Sequence, residues 1–334
     1  MKNKSNFLQS SEKRFRHSLY PVSKPREDGY IKVSRLHTLY YAQYGNPDGI
    51  PVVILHGGPG AGCEDAYSSF FDLKRWNVIM FDQRGTMRSR PMGCMEDNTP
   101  QHSIKDIEQL RKHLGIKKWV VFGGSYGTTL SLLYGQAHPK RCLGLIVRGI
   151  FLARKEDYFY FFYELGKIYP KIFKPCLHLI PKKERKDLIA AYYRRIMDPD
   201  PVIHKPAAAA LMAFIGTCWK IPPNPKTESL QKMMKKIKLL TSCSRAFIHY
   251  CMHGFFLKPN QVLANMGKIA HLPGIIVQGR LDGINPPLAA TALHKKWKNS
   301  ALWLIPKAGH SAHDPEIAPA LATATDLFAD NLLN

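Results

Sequence analysis

Short apolar, β-branched runs closed by glycine or charge alternate along the chain with stretches whose apolar positions recur every three or four residues. In the first half, "PVVILHGG" (51–58), "NVIMFDQRG" (77–85), "WVVFGGS" (119–125) and "LGLIVRG" (143–149) read as strands buried on both faces. Between the second and third, "SIKDIEQLRKHLG" (103–115) puts Ile104, Ile107, Leu110 and Leu114 on one helical face, and Gly115 marks its C-terminal stop. The texture returns near the end, where "GIIVQGRLD" (274–282) and "ALWLIPKAGH" (301–310) read as strands around a helical "PPLAATALHKKWK" (286–298) opened by prolines. Strands that alternate with helices predict an α/β fold, a mostly parallel sheet with helices on both faces.

The intervening segment has another texture. Residues 151–268 are rich in aromatics, lysine and helical pattern, contain an "IPPNP" break at 221–225 and offer no convincing strand. This segment is expected to form a helical cap inserted into a sheet built from both flanks. The resulting division is a leader at 1–29, a first core part at 30–150, the cap at 151–268 and a second core part at 269–334. No internal repeat is visible.

Composition narrows the class without setting the chemistry. At 334 residues, with 45% apolar and 22% charged residues, the chain has ordinary globular usage and enough length for a sizeable core. No apolar run approaches the roughly 18 uncharged residues of a spanning helix, so no membrane span is expected. The net charge of +23 is abnormal. It reads as a solvated basic surface, since no zinc-finger or RNA-recognition signature accompanies it and no specific nucleic-acid partner is implied. The 7 cysteines are scattered without a CxxC pair, which favours free thiols in a reducing compartment over disulfides or a zinc site. The basic N-terminus lacks the apolar core of a secretory signal, so a cytoplasmic protein is expected, with an organellar transit segment as the alternative.

The chemistry concentrates where strands end. Gly123, Ser125 and Gly127 fit G-x-S-x-G between the strand "WVVF" and the apolar "TTLSLLYGQ", the context in which a tight turn exposes a serine oxygen above a sheet. A serine hydroxyl needs a base and an acid to orient that base. Asp282 follows the strand "IIVQG" and His310 follows "LWLIP", so the order Ser, acid, His places all three at one sheet edge. His313 and Asp314 are the nearest substitutes, ranked lower because Asp314 precedes Pro315 and reads as a helix N-cap with His313 toward solvent. The segment "LHGGPGAG" (55–62) supplies unobstructed backbone N–H groups for an oxyanion. Gly58 is favoured as donor, with Gly57 second and the N–H of Tyr126 as partner. The glycine spacing fits neither a Walker nor a dinucleotide loop, and the histidines lack metal-ligand spacing, so no cofactor or metal is expected.

With "HGGPGAG", "FDQRG", "GGSYG", "GRLD" and "AGHSA" in order, the chain resembles the proline iminopeptidases, serine peptidases of the α/β-hydrolase fold. The resemblance runs from about residue 19 to the C-terminus and includes "LYYAQYGNPDGIPVVILHGGPG" and "TLSLLYGQAHP". It implies removal of an N-terminal proline without a cofactor, a helical cap over the site, and a triad of Ser125, Asp282 and His310.

Three departures accompany it. The family usually has tryptophan after the nucleophile, where Tyr126 keeps an aromatic wall, and its Cys-Gly-Arg-Ser after "DQRG" is replaced by Thr86, Met87, Arg88 and Ser89. The family's cap also carries two glutamates that hold the substrate's charged N-terminus. The matching positions here are Ile215 and Phe247, and from Pro201 to Leu281 the only carboxylate is Glu228. Burying an ammonium without a carboxylate is costly. An esterase or amidase acting on apolar substrates that lack a free amine is therefore the alternative, with Glu156, Asp157 and Glu164 as candidate replacements for the missing acids. Either way the partner is a small peptide or acyl substrate. The full Ser, Asp and His set argues against a scaffold protein built around the basic surface.

Overall fold

The strands are β1 (Glu27–Lys32), β2 (Thr38–Gly45), β3 (Ile50–Leu55), β4 (Trp76–Phe81), β5 (Trp119–Gly124), β6 (Cys142–Arg148), β7 (Gly274–Gly279) and β8 (Ser300–Ile305). The computed structural model describes residues 15, 16, 18–219 and 236–333; the "IPPNP" break and Glu228 lie outside them. One sheet has the order β1-β2-β4-β3-β5-β6-β7-β8. Its strands from β4 to β8 pair in parallel, whereas β2 runs antiparallel to both β1 and β4.

The β-branched runs form central strands because each of their faces is covered. In β3, Val53 and Leu55 join the apolar cluster on one side of the sheet, while Val52 and Ile54 join the cluster on the other. On the first side lie α1 (Pro100–His113) and α2 (Tyr126–Ala137). Helix α1 starts at a Thr99 cap with Pro100 in its first turn, and Gly115 just beyond its end takes φ +66°. On the second side lies the C-terminal helix α11 (Ile317–Leu333), which contributes Leu321, Ala324 and Phe328.

Between β6 and β7 the chain forms the cap: α3 (Lys155–Phe159), α4 (Leu165–Ile168), α5 (Pro170–His178), α6 (Leu188–Ile196), α7 (Pro201–Cys218) and α8 (Ile237–Met252). A short helix, α9 (Gln261–Ala264), then packs back on α2, where Gln136 Nε2 donates to the Val262 carbonyl at 2.8 Å. Helix α10 (Leu288–Lys296) connects β7 to β8. The cap is not a separate body, because Leu211, Phe214 and Ile248 share one apolar cluster with Ile150 and Phe151 beyond β6.

One expectation changes. The 1–29 leader includes part of β1, and Tyr20 and Arg16 both bond Asp326 of α11, at 2.7 and 2.8 Å, while Phe15 packs on Trp303. Strand β2 was not legible as a strand by alternation, because its six central residues are all buried. Helix α7 has the length of a spanning helix, 18 residues at a mean hydropathy of 1.2, but Lys205 interrupts it, so no uncharged run reaches that length. It buries Ala208, Leu211 and Phe214, and α5, α6 and α8 pack against it.

The loop after β4 is held by one buried ion pair. Arg84 of "DQRG" donates from Nε and Nη2 to the two Asp106 oxygens of α1 at 2.7 and 2.8 Å, and from Nη1 to the Asp97 carbonyl at 2.8 Å. Burial pushes the Asp106 carboxyl up in pKa against the pull of Arg84. Removing one partner strands a buried charge, so Asp106→Ala is expected to lose about 3–5 kcal/mol in denaturant unfolding. A loss below about 1 kcal/mol would show that the pair does not hold this loop.

Candidate active site

Ser125 stands between β5 and α2 with φ 57° and ψ −126°, a backbone conformation that L-residues rarely adopt. Crowding maintains it. A β-carbon on Gly123 would overlap Ser131 Oγ and the Gly127 carbonyl, and one on Gly127 would overlap the Leu55 carbonyl of β3. Only glycines let α2 approach the strands this closely. The Ser125 N–H donates to the Arg148 carbonyl at 3.0 Å, which fixes the turn to the end of β6.

Strand order places this turn at a crevice. From β3 the chain goes to β4 on one side and then to β5 on the other, so the loops after β3 and β5 diverge at adjacent strand ends, where open α/β sheets bind ligands.

Asp282 and His310 meet at the same edge. His310 Nδ1 donates to Asp282 Oδ2 at 2.8 Å, and both side chains are buried, at 3% and 0% exposure. Asp282 Oδ1 also accepts from the N–H groups of Ile284 (3.0 Å) and Asn285 (2.8 Å), and Oδ2 accepts from Gln278 Nε2 (3.1 Å). The carboxylate is thus locked with one oxygen aimed at the imidazole.

From β8 to β5 is three strand spacings, about 14 Å, so the loop after β8 must fold back over the sheet edge. Two features bring it back. Arg148 Nη1 donates to the His310 carbonyl at 2.6 Å. Gly149, whose β-carbon would stand 3.2 Å from His310 Cε1 and 3.6 Å from Asp282 Oδ2, leaves room for both the imidazole and the carboxylate. Trp219, at the end of α7, stands over the imidazole with ring centroids 6.0 Å apart.

The glycine loop after β3 lies beside Ser125. A β-carbon on Gly57 would stand 3.1 Å from Ser125 Cβ, and Gly58, at φ +109°, borders the same cavity as Ser125. His56 holds the loop's base: its Nδ1 donates to the Gly57 carbonyl (2.9 Å) while its Nε2 accepts from the Gln83 N–H (3.0 Å). Burial pushes the His56 pKa down, which keeps this neutral tautomer. The cap touches the loop's far side, where Cys243 Sγ donates to the Gly60 carbonyl at 2.8 Å.

Above Ser125 opens a cavity of about 510 Å³ whose wall includes both Ile215 and Phe247, with Phe151, Phe161 and Trp219. The expected Tyr126 wall is not part of it. Its ring is buried edge-on against Tyr250 at 5.2 Å, in the core rather than the cavity. Of the candidate acids, Asp157 lines the cavity but is gripped by Arg154, Glu156 pairs with the same arginine, and Glu164 pairs with Lys167. His313 is exposed, as expected, and stacks on Phe70 at 5.2 Å, while Asp314 Oδ2 accepts from the Gly309 N–H (2.9 Å), bracing the His310 loop.

Sequence reasoning missed Arg148 and Glu64. Arg148 had a signal, a cation closing the apolar strand "LGLIVR"; Glu64, directly after the glycine loop, also lines the cavity.

This arrangement, a sharp serine turn at the crevice of a mostly parallel sheet with a paired acid and imidazole, defines an α/β hydrolase. Residues 50–316 match the family described as alpha/beta hydrolase fold. A probable proline iminopeptidase of Leptolyngbya boryana is 45% identical over 95% of this chain and 98% of its own. A proline iminopeptidase of Arabidopsis thaliana is 42% identical over 92% and 81%. The crystal structure of a proline iminopeptidase from Mycobacterium smegmatis superposes with a TM-score of 0.60 at 16% identity, over 92% of this chain and 99% of that one, and shows the fold. The chain belongs to the proline iminopeptidase family, and it is a hydrolase.

Arg148 ties the Ser125 turn to the His310 loop, one through its carbonyl and the other through its guanidinium. Arg148→Lys keeps the charge and loses the fork. It is expected to lower kcat by about tenfold or more with KM little changed. Steady-state kinetics in which KM alone moves would contradict the positioning role.

Proposed function

We propose that this hydrolase releases N-terminal proline from peptides through an acyl-enzyme on Ser125. The observation that carries the reading is the buried Asp282–His310 pair at the sheet edge where Ser125 borders the cavity, in a chain whose relatives bear the name proline iminopeptidase. Ser125 Oγ attacks the proline carbonyl carbon while His310 Nε2 takes its proton; the imidazolium, stabilised by Asp282, then protonates the leaving amine as the C–N bond breaks. Water deacylates the ester by the same route in reverse. The N–H groups of Gly58 and Tyr126 receive the developing oxyanion, with Gly57 as the second choice on the loop. All 7 cysteines are free thiols, which fits a cytoplasmic enzyme.

Charge in the cavity supports a substrate with a free amine. The lining carries Glu64 and Asp157 and, among the described residues, no lysine, arginine or histidine, although the chain as a whole is +23. The second reading, hydrolysis of apolar esters or amides without an amine, rests on Ile215 and Phe247, which line that wall where the family has glutamates.

Ser125→Ala should abolish turnover and Asp282→Asn should lower kcat by about 10⁴-fold; unchanged hydrolysis by the first variant removes the nucleophile. The two readings separate on three substrates given to the wild type: proline arylamide, its N-acetyl form and a short acyl ester. Preference for the free amine is expected, and preference for the blocked or ester forms would establish the second reading. Ile215→Glu with Phe247→Glu is expected to raise free-amine preference further, read as the same ratio of kcat/KM values.

A further inference from the structure

Resting on the aminopeptidase reading, we propose that Glu64 is the carboxylate that holds the substrate's protonated N-terminal amine, from the core side of the cavity instead of from the cap. In an N-terminal residue the amine nitrogen lies about 2.5 Å from the carbonyl carbon that the nucleophile attacks. Its anchor must therefore border the same cavity as Ser125. Glu64 and Asp157 are the carboxylates in that lining among the described residues.

Their situations differ. Asp157 already has its charge answered: Oδ1 accepts from Arg154 Nη2 at 2.7 Å, and Oδ2 from Arg154 Nε at 3.1 Å and N at 3.0 Å. A second cation there would meet a neutralised pair. The Glu64 carboxylate makes no hydrogen bond or ion pair with any described residue, in a chain with 48 basic and 25 acidic side chains. Its imidazole neighbour, His313, stacks on Phe70 and forms neither a hydrogen bond nor an ion pair with Glu64.

The backbone that carries Glu64 is fixed from beneath. The preceding residue, Cys63, donates its N–H to Asp82 Oδ1 at 2.9 Å, and its carbonyl accepts from Arg88 Nη2 at 2.8 Å, while Arg88 Nε pairs with Asp82 Oδ2 at 2.6 Å. One rigid segment thus carries the glycine loop and, immediately after it, the free carboxylate. The distance between oxyanion donor and amine anchor is set by a few residues of backbone rather than by how the cap closes. Ile215 and Phe247 then pack the pyrrolidine ring.

The test compares kcat/KM for proline arylamide and for p-nitrophenyl acetate, which has no amine, in wild type, Glu64→Gln and Glu64→Asp. Glu64→Gln is nearly isosteric and exposed. It is expected to lose about 10- to 100-fold on the arylamide, mostly in KM, with the ester within about twofold of wild type and with partial recovery in Glu64→Asp. An unchanged arylamide value, or equal losses on both substrates, overturns the assignment of Glu64 while the wild-type arylamide activity keeps the aminopeptidase reading standing. A wild type that cleaves the ester and not the arylamide overturns that reading, and the assignment falls with it.

Discussion

Ser125 is held at φ 57° because α2 approaches β3 and β5 with no side chain between them. A single β-carbon on Gly127 would meet the Leu55 carbonyl, and one on Gly124 would meet the Arg148 guanidinium. Such a contact cannot relax locally, since β3 and β5 are hydrogen-bonded neighbours and both are buried on both faces. The strain of the serine turn, of order 1–3 kcal/mol, is thus offset by packing that any bulkier residue would break. The same close approach sets the crevice, because it brings the glycine loop after β3 beside the serine. Arg148 extends the arrangement sideways, to a histidine that strand order alone leaves three strands away.

Polar contacts from α8 couple the cap to this assembly. Ser242 of α8 donates to the Gly85 carbonyl at 2.7 Å, and Cys243, the next residue, donates to Gly60 in the glycine loop. A β-carbon on Gly60 would lie 2.9 Å from Ala246 Cβ, so the helix and the loop are in direct van der Waals contact. Any shift of α8 is therefore felt by the glycine loop that lies beside Ser125. Phe247, one residue beyond Ala246, is carried into the substrate cavity by the same helix. Cap position, pocket shape and the conformation of the glycine loop are consequently linked through a single element.

What was legible in the sequence was whatever is encoded within a few residues. Glycines around Ser125 mark a turn that only glycine permits, and Asp282 and His310 each lie in the loop just beyond an apolar run, so their place near the strand ends follows from local pattern. Ile215 and Phe247 were placed through resemblance, not periodicity, and both line the cavity. The positioning groups were hidden because their meaning is non-local. Arg148 matters through a carbonyl 162 residues away, and Asp82 through an arginine that reaches back over Cys63. Strand β2 was missed for another reason: buried on both faces and rich in tyrosine, it lacks the alternation that marks a half-exposed strand. The segment before β1 read as a polar leader because its partners, Trp303 and Asp326, are some 300 residues distant.

Net charge and local charge point in opposite directions, and the shorter range decides. At physiological ionic strength a charge on the protein surface is screened over about 8 Å, so the excess of lysine and arginine acts on solvent and distant partners but weakly on a group inside the cavity. There the potential is set by the wall, which pairs one carboxylate with Arg154 and leaves another at the rim. The basic exterior adds a constraint of its own. A cationic peptide approaching this surface is repelled until it reaches the cavity mouth, whereas an anionic one is attracted to the surface without being favoured inside.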